Sequence, residues 1–320
     1  MHILIGPNGY GLEEVIPELS ARHPELTFTC CEDQASVLDE IPQAEVYFGW
    51  LSPDALAAAG KLRWVQSPST GVDGFLKLPM LRDSEIILTS ARGTHATCLA
   101  EHCLAMILAF TRGIKTFTLH QREHRWEARQ LRNTLVELTG STLGIVGFGT
   151  VGQALAKRAQ AFDMRILAVD VLPREKPGYV ERIGGLDTLN DLLATSDYLV
   201  VTVPYTNETV GMIGAEQFAL MKPSVIVVGI SRGGVIDENA LIAALNTKQI
   251  AAAALDVFEQ EPLAADSPLW DMENVLITPH AAGGTQFEFE SIRDIFTENV
   301  DRFVRGEFPL RNQVDKQRGF

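Results

Sequence analysis

Residues 142–152, TLGIVGFGTVG, constrain the fold of this chain more than any other stretch. An apolar run ends in Gly147, Gly149 and Gly152, spaced G-x-G-x-x-G, and QALAKRAQAF follows. In that continuation Val151, Ala154, Leu155, Ala159 and Phe162 mark one helical face, and Gln153, Lys157, Arg158 and Gln160 mark the other. The order is therefore strand, tight turn, amphipathic helix. The motif alone is weak, but in this context it reads as a dinucleotide cradle. Gly147 permits the turn, Gly149 lets backbone approach a pyrophosphate, and Gly152 lets helix and strand pack closely. The helix N-terminus then offers free N–H groups and the positive end of its dipole. The next strand, MRILAVD, ends in Asp170, eighteen positions after Gly152. A carboxylate there hydrogen-bonds adenosine ribose hydroxyls and repels a 2′-phosphate, so NAD is expected in preference to NADP, although Arg174 lies close by.

A chain of 320 residues exceeds one ordinary core, so two domains are expected. Its first hundred residues alternate. HILIG, LTFTC, AEVYFGW, LRWVQS and EIILTS read as strands, and LEEVIPELSARH is helical in composition despite Pro17. A long helix is expected over 96–111, with Leu99, Cys103, Met106 and Phe110 on one face. Residues 114–139 are charged and lack a clear period, which suggests an extended arm. Alternation resumes with LNDLLATS and DENALIAALNT as helices, the latter capped by Asp237, and YLVVTV, VIVVGI, IAAAALDV and VLITPH as strands. Such continuous apolar strands imply a parallel, doubly wound sheet buried on both faces. A last helix places Ile292, Phe296, Val300 and Phe303 on one face and ends at Gly306.

Composition narrows the partners. A formal net charge of -14 argues against nucleic acid or an anionic membrane as the main partner. The longest oily segment, around Cys98 to Phe110, is interrupted by Glu101 and His102 and is too short to span a bilayer. No signal peptide is evident, and Cys30, Cys31, Cys98 and Cys103 lack metal-binding or bridging spacing, so reduced thiols in the cytoplasm are expected. The histidines at 2, 23, 95, 102, 120 and 124 show no metal spacing and read as structural or solvated; no metal is expected.

Ligands of doubly wound sheets sit beyond the carboxyl ends of the strands. There the sequence places Arg232 after VIVVGIS, Asp256 and Glu261 after IAAAAL, and His280 after VLITP. Each alone reads as an ordinary loop residue. Together, on one edge beside the cradle, they supply a fork for a carboxylate (Arg232), an acid/base (His280) and a partner for its far ring nitrogen (Glu261).

With these residues assembled, the chain resembles the D-isomer-specific, NAD-dependent D-2-hydroxyacid dehydrogenases over nearly its full length. The likeness rests on GFGTVG with Asp170, VPYTNET (203–209), GISRGGVIDENAL (229–241), ALDVFEQEPL (254–263) and TPHAAGGT (278–285). It implies an α/β protein of two doubly wound parallel-sheet domains. A Rossmann NAD-binding domain (97–284) is inserted into a flavodoxin-like substrate domain (1–96 and 285–320), and an arm at about 113–140 serves homodimerisation. Arg232, Glu261 and His280 match the family's catalytic residues. The cofactor contacts carried over are Gly147, Gly149, Thr150, Val151, Gly152, Asp170, Val203, Pro204, Thr209, Ile230, Ser231, Arg232, Asp256 and His280. SPSTGVDG resembles the loop that holds the substrate carboxylate, so Thr70 and Gly71 join Arg232 and His280 as substrate contacts. Trp50, Leu51 and Trp126 are candidate pocket walls, as similar positions are in some relatives.

The implied activity is hydride transfer between NAD(H) and a small 2-hydroxy or 2-keto acid, as in a glyoxylate/hydroxypyruvate reductase. Formate dehydrogenases resemble the family but pair their histidine with glutamine, and Glu261 speaks against that activity. The chain ends soon after its last helix, so the regulatory domain of some phosphoglycerate dehydrogenases is not expected. The same fold also serves a dinucleotide-sensing corepressor, which is the alternative function.

Overall fold

A computed structural model describes residues 1–127, 129–172 and 174–320. Ala128, inside the charged arm, and Pro173 lie outside the described residues. The chain divides into two units, Met1–His95 with Thr285–Phe320, and Ala96–Gly284. Ala96 opens the long helix and goes with the second unit, one residue before the boundary read from the sequence.

The first unit holds strands β1 (His2–Ile5), β2 (Thr27–Cys30), β3 (Val46–Phe48), β4 (Trp64–Gln66) and β5 (Ile87–Thr89). They form one parallel sheet in the order β2-β1-β3-β4-β5. Side chains alternate between two cores: Leu4 goes to one face, and Ile3 and Ile5 to the other. The second face is covered by Ile292, Phe296, Val300 and Phe303 of the helix Glu288–Arg305. That helix ends at Gly306, whose φ of 70° is the left-handed C-cap expected there. Pro17 does not break its helix, because Ile16–Arg22 begins there and the missing N–H falls in the first turn.

The second unit carries β6 (Thr142–Val146), β7 (Arg165–Val169), β8 (Arg182–Gly184), β9 (Tyr198–Val201), β10 (Ile226–Gly229), β11 (Ala252–Leu255) and β12 (Val275–Ile277). Their order is β12-β11-β10-β9-β6-β7-β8, all parallel, and it reverses direction at β6. Both faces are buried. Leu143, Ile145, Val200, Val228 and Ala254 enter one core; Val146, Leu199, Val227 and Leu255 enter the other. The helix Ala96–Thr111 buries Cys103, Met106 and Ile107 and packs beside the helix Thr150–Ala159.

Several elements depart from the sequence reading. The arm is not extended throughout: Ile114–Arg122 is helical, but it buries none of its side chains and so shows no apolar period. Strand β8 is an edge strand of half-buried residues, and the short helix Ala215–Leu220 went unread. No single helix among the described residues is long and apolar enough to cross a membrane.

Candidate active site

The cradle residues stand where β6 meets its helix. Gly147 has φ 97°, and a Cβ on it would lie 2.9 Å from Val203 Cγ1. A Cβ on Gly152 would lie 2.3 Å from the Gly147 carbonyl oxygen, so only glycine allows this approach of helix to strand. Gly149 differs, since a Cβ there would meet nothing within 4 Å. It is the N-cap of Thr150–Ala159 and provides no side-chain cap. Open space therefore lies beside Gly149 at the positive end of a ten-residue helix without a side-chain cap, an arrangement that suits a pyrophosphate.

Asp170 follows β7 and is nearly buried. Its Oδ2 accepts from Phe148 N–H at 2.7 Å, and its Oδ1 accepts from Leu172 N–H at 2.8 Å. Arg174 Nε lies 3.3 Å from Oδ2. The carboxylate thus pins the glycine turn. After β9, Val203 abuts Gly147, and Thr209 Oγ1 donates to the Pro204 carbonyl at 2.7 Å, closing the 203–209 loop.

Strands β10, β11 and β12 are neighbours, so the residues that follow them share one edge. After β10 come buried Ile230, then Ser231 and Arg232, both half-buried. Arg232 Nη1 donates to the Ser231 carbonyl at 2.7 Å. A Cβ on Gly233 would lie 1.7 Å from the Phe258 carbonyl oxygen, so the loops after β10 and β11 are pressed together. After β11, Glu261 Oε1 accepts from Phe258 N–H at 3.0 Å, which aims the other oxygen. That oxygen, Oε2, lies 2.6 Å from His280 Nδ1. The imidazole itself is 47 % exposed and held in the left-handed region at φ 52°. Few residues with a Cβ adopt that posture without support. With Nδ1 engaged by the carboxylate, Nε2 is the nitrogen left to exchange a proton.

Asp256 is only 1 % exposed and serves the fold of this turn. Its Oδ1 accepts from Thr278 Oγ1 at 2.5 Å and from Ala281 N–H at 2.9 Å, and its Oδ2 accepts from Ala282 N–H at 3.0 Å. Behind it His102 Nε2 lies 3.0 Å from Thr278 Oγ1. The sequence reading left His102 as structural or solvated and gave Thr278 no role. The available signal was an imidazole interrupting an oily helix, which needs a polar partner when packed. His2 and His23 find structural partners, Nδ1 of the one 3.0 Å from Thr27 Oγ1 and Nε2 of the other 2.7 Å from Asp301 Oδ1. No group of three His, Cys, Asp or Glu among the described residues is placed to hold a metal ion, and all four cysteines are free thiols.

In the first unit Thr70 and Gly71 lie in the loop after β4. Thr70 Oγ1 lies 3.1 Å from His95 Nδ1, and His95 Nε2 lies 3.3 Å from Glu288 Oε1. Trp50 is half exposed and stacks on Phe75, Leu51 is buried, and Trp126 of the arm is 96 % exposed.

Residues 104–282 match the family model described as D-isomer specific 2-hydroxyacid dehydrogenase, NAD binding domain. The chain is 34% identical over 308 residues to a D-3-phosphoglycerate dehydrogenase of Archaeoglobus fulgidus, covering 95% of this chain and 57% of that protein. It is 36% identical over 283 residues to a glyoxylate reductase of Korarchaeum cryptofilum, covering 87% and 81%. Among solved structures, a D-isomer specific 2-hydroxyacid dehydrogenase from Xanthobacter autotrophicus, in complex with NADPH and MES, aligns with TM-score 0.85 and 30% identity over 99% of both chains. The chain spans little more than half the length of the D-3-phosphoglycerate dehydrogenases it matches.

Proposed function

We propose that this chain, which belongs to the D-isomer specific 2-hydroxyacid dehydrogenase family, reduces small 2-keto acids with NADH and oxidises the matching D-2-hydroxy acids in reverse. The observation that carries the reading is the 2.6 Å contact between His280 and Glu261, on the sheet edge that also bears the glycine cradle. When bound, the nicotinamide supplies the hydride. Protonated His280 gives its Nε2 proton to the keto oxygen as that oxygen gains charge, and in oxidation it takes the hydroxyl proton. Glu261 fixes the orientation of the ring. Arg232 presents a planar fork to the substrate carboxylate and keto oxygen, and Thr70 and Gly71 are assigned as further substrate contacts.

Cofactor contacts are assigned to Gly147, Gly149, Thr150, Val151, Gly152, Asp170, Val203, Pro204, Thr209, Ile230, Ser231, Arg232, Asp256 and His280. The near-buried carboxylate of Asp170 supports NAD over NADP; Arg174 lies beside it and the Xanthobacter relative is in complex with NADPH, so both cofactors enter the test. The protein is proposed to work in the cytoplasm as a homodimer, with the arm covering its exposed Ile114, Leu119, Trp126 and Val136 against a second copy. The test is a panel of glyoxylate, hydroxypyruvate and phenylpyruvate with NADH and with NADPH, alongside sedimentation. Turnover of one or more keto acids with higher kcat/KM for NADH supports the reading. No turnover on any member would favour the corepressor-like alternative.

A further inference from the structure

We propose that His102 is a positioning residue for His280, acting through Thr278 and Asp256; the inference rests on the dehydrogenase reading above. His102 stands on the helix Ala96–Thr111, next to fully buried Cys103. Its Nε2 lies 3.0 Å from Thr278 Oγ1, and Thr278 Oγ1 lies 2.5 Å from Asp256 Oδ1. A hydroxyl carries one proton, and the carboxylate can only accept. Thr278 therefore donates to Asp256 and accepts from His102, which must carry hydrogen on Nε2.

Asp256 passes this constraint to the turn. Its two carboxylate oxygens accept from the N–H groups of Ala281 and Ala282, and its backbone carbonyl accepts from His280 N–H at 2.8 Å. One residue thus grips the backbone at His280 and just beyond it, where the chain turns through φ 52°. Such a posture persists only when its surroundings over-determine it. His102 itself is 3.9 Å from Asp256 Oδ1, too far for a direct hydrogen bond, so its hold on the carboxylate runs through the Thr278 hydroxyl. Without His102 the hydroxyl loses the donor that fixes its rotor. Without the hydroxyl, a buried carboxylate loses a donor and the turn loosens. Glu261 and the cradle lie outside this chain of bonds. The expected signature is a slower chemical step with binding preserved.

The experiment compares the wild-type chain with His102→Ala, His102→Gln and Thr278→Val. It measures kcat and KM for the best keto acid of the panel, the NADH dissociation constant by fluorescence, and hydrogen exchange of amides 278–284. His102→Ala and Thr278→Val are expected to lower kcat about tenfold, the scale of one lost hydrogen bond to a charged network. KM and the NADH dissociation constant are expected to stay within about twofold, the pattern of a loss felt in the transition state. Exchange of the Ala281 and Ala282 amides is expected to accelerate. His102→Gln keeps an N–H donor and is expected to recover both kcat and protection. Wild-type kcat and wild-type exchange in His102→Ala would overturn the proposal, and so would a matching loss of NADH binding. A wild-type chain that reduced no keto acid would defeat the dehydrogenase reading alone; exchange in the variants would then decide the coupling by itself. Should His102→Ala fail to fold, Thr278→Val and His102→Gln make the same comparison.

Discussion

Two neighbouring glycines should separate stability from cofactor affinity. In Gly152→Ala the new Cβ would start 2.3 Å from the Gly147 carbonyl oxygen and 3.2 Å from Ile145 Cγ2. Ordinary contact needs about 3.5 Å, so helix and strand must part by about 1 Å. Overpacking of that kind costs about 1–3 kcal/mol, offset by up to about 1 kcal/mol from the better helix propensity of alanine. The net loss is about 1–2 kcal/mol, or a Tm lower by about 2–8 °C for a unit of this size. In Gly149→Ala the methyl meets nothing within 4 Å, and the conformation, φ −74°, suits alanine. Stability should fall by less than about 1 kcal/mol, the cost of a poorer N-cap. The methyl does, however, occupy the space through which the pyrophosphate must approach the backbone. NADH affinity should therefore fall by about tenfold or more, as a phosphate held at longer range loses its charge-assisted hydrogen bonds. Calorimetric melting with fluorescence titration of NADH reads both quantities. Gly149→Ala with wild-type Tm and wild-type NADH affinity would refute the cradle assignment. Gly152→Ala with an unchanged Tm would refute the packing argument.

Other consequences are smaller in scope. Asn299 is fully buried; its Nδ2 donates to Gln66 Oε1 and the Arg311 carbonyl, and its Oδ1 accepts from Arg311 N–H. Asn299→Ala should cost about 2–4 kcal/mol in urea unfolding, and a cost below half a unit on that scale, about 0.5 kcal/mol, would show the network to be dispensable. Burial, with the Glu259 carboxylate nearby, holds the Glu238 carboxyl above its ordinary value of 4.5. A raised folded-state value favours the folded state while the group is protonated, so that contribution is complete below 4.5 and lost as pH rises through the raised value. Glu238→Gln, whose amide oxygen still accepts from Glu259 N–H, should melt higher than wild type at pH 7 and like it at about pH 4. An equal gain at both values would contradict the electrostatic origin.

The sheets were legible in the sequence because both faces of each central strand are buried, leaving uninterrupted runs such as VIVVGI around β10. Asp237 was legible as a cap because its side chain accepts locally, from Ala240 N–H at 2.9 Å. Strand β8 and the helix Ile114–Arg122 left no such mark, since half-buried or exposed residues are not held to an apolar period. The pairing of His280 with Glu261 spans nineteen positions and two adjacent strands, so strand ends alone brought it within reach. His102, read as structural or solvated for want of metal spacing, finds its partner Thr278 176 positions away, and a contact of that span has no sequence period. The carboxylate oxygens of Asp256 accept from Thr278, Ala281 and Ala282, a hold on its own turn that strand-end reasoning does not reach.

The most direct measurement is the turnover of His280→Ala beside its NADH binding. If the imidazole is the acid/base, kcat should fall by about 10²–10⁴ while the NADH dissociation constant stays near that of wild type. Wild-type kcat in His280→Ala would contradict the account at its centre.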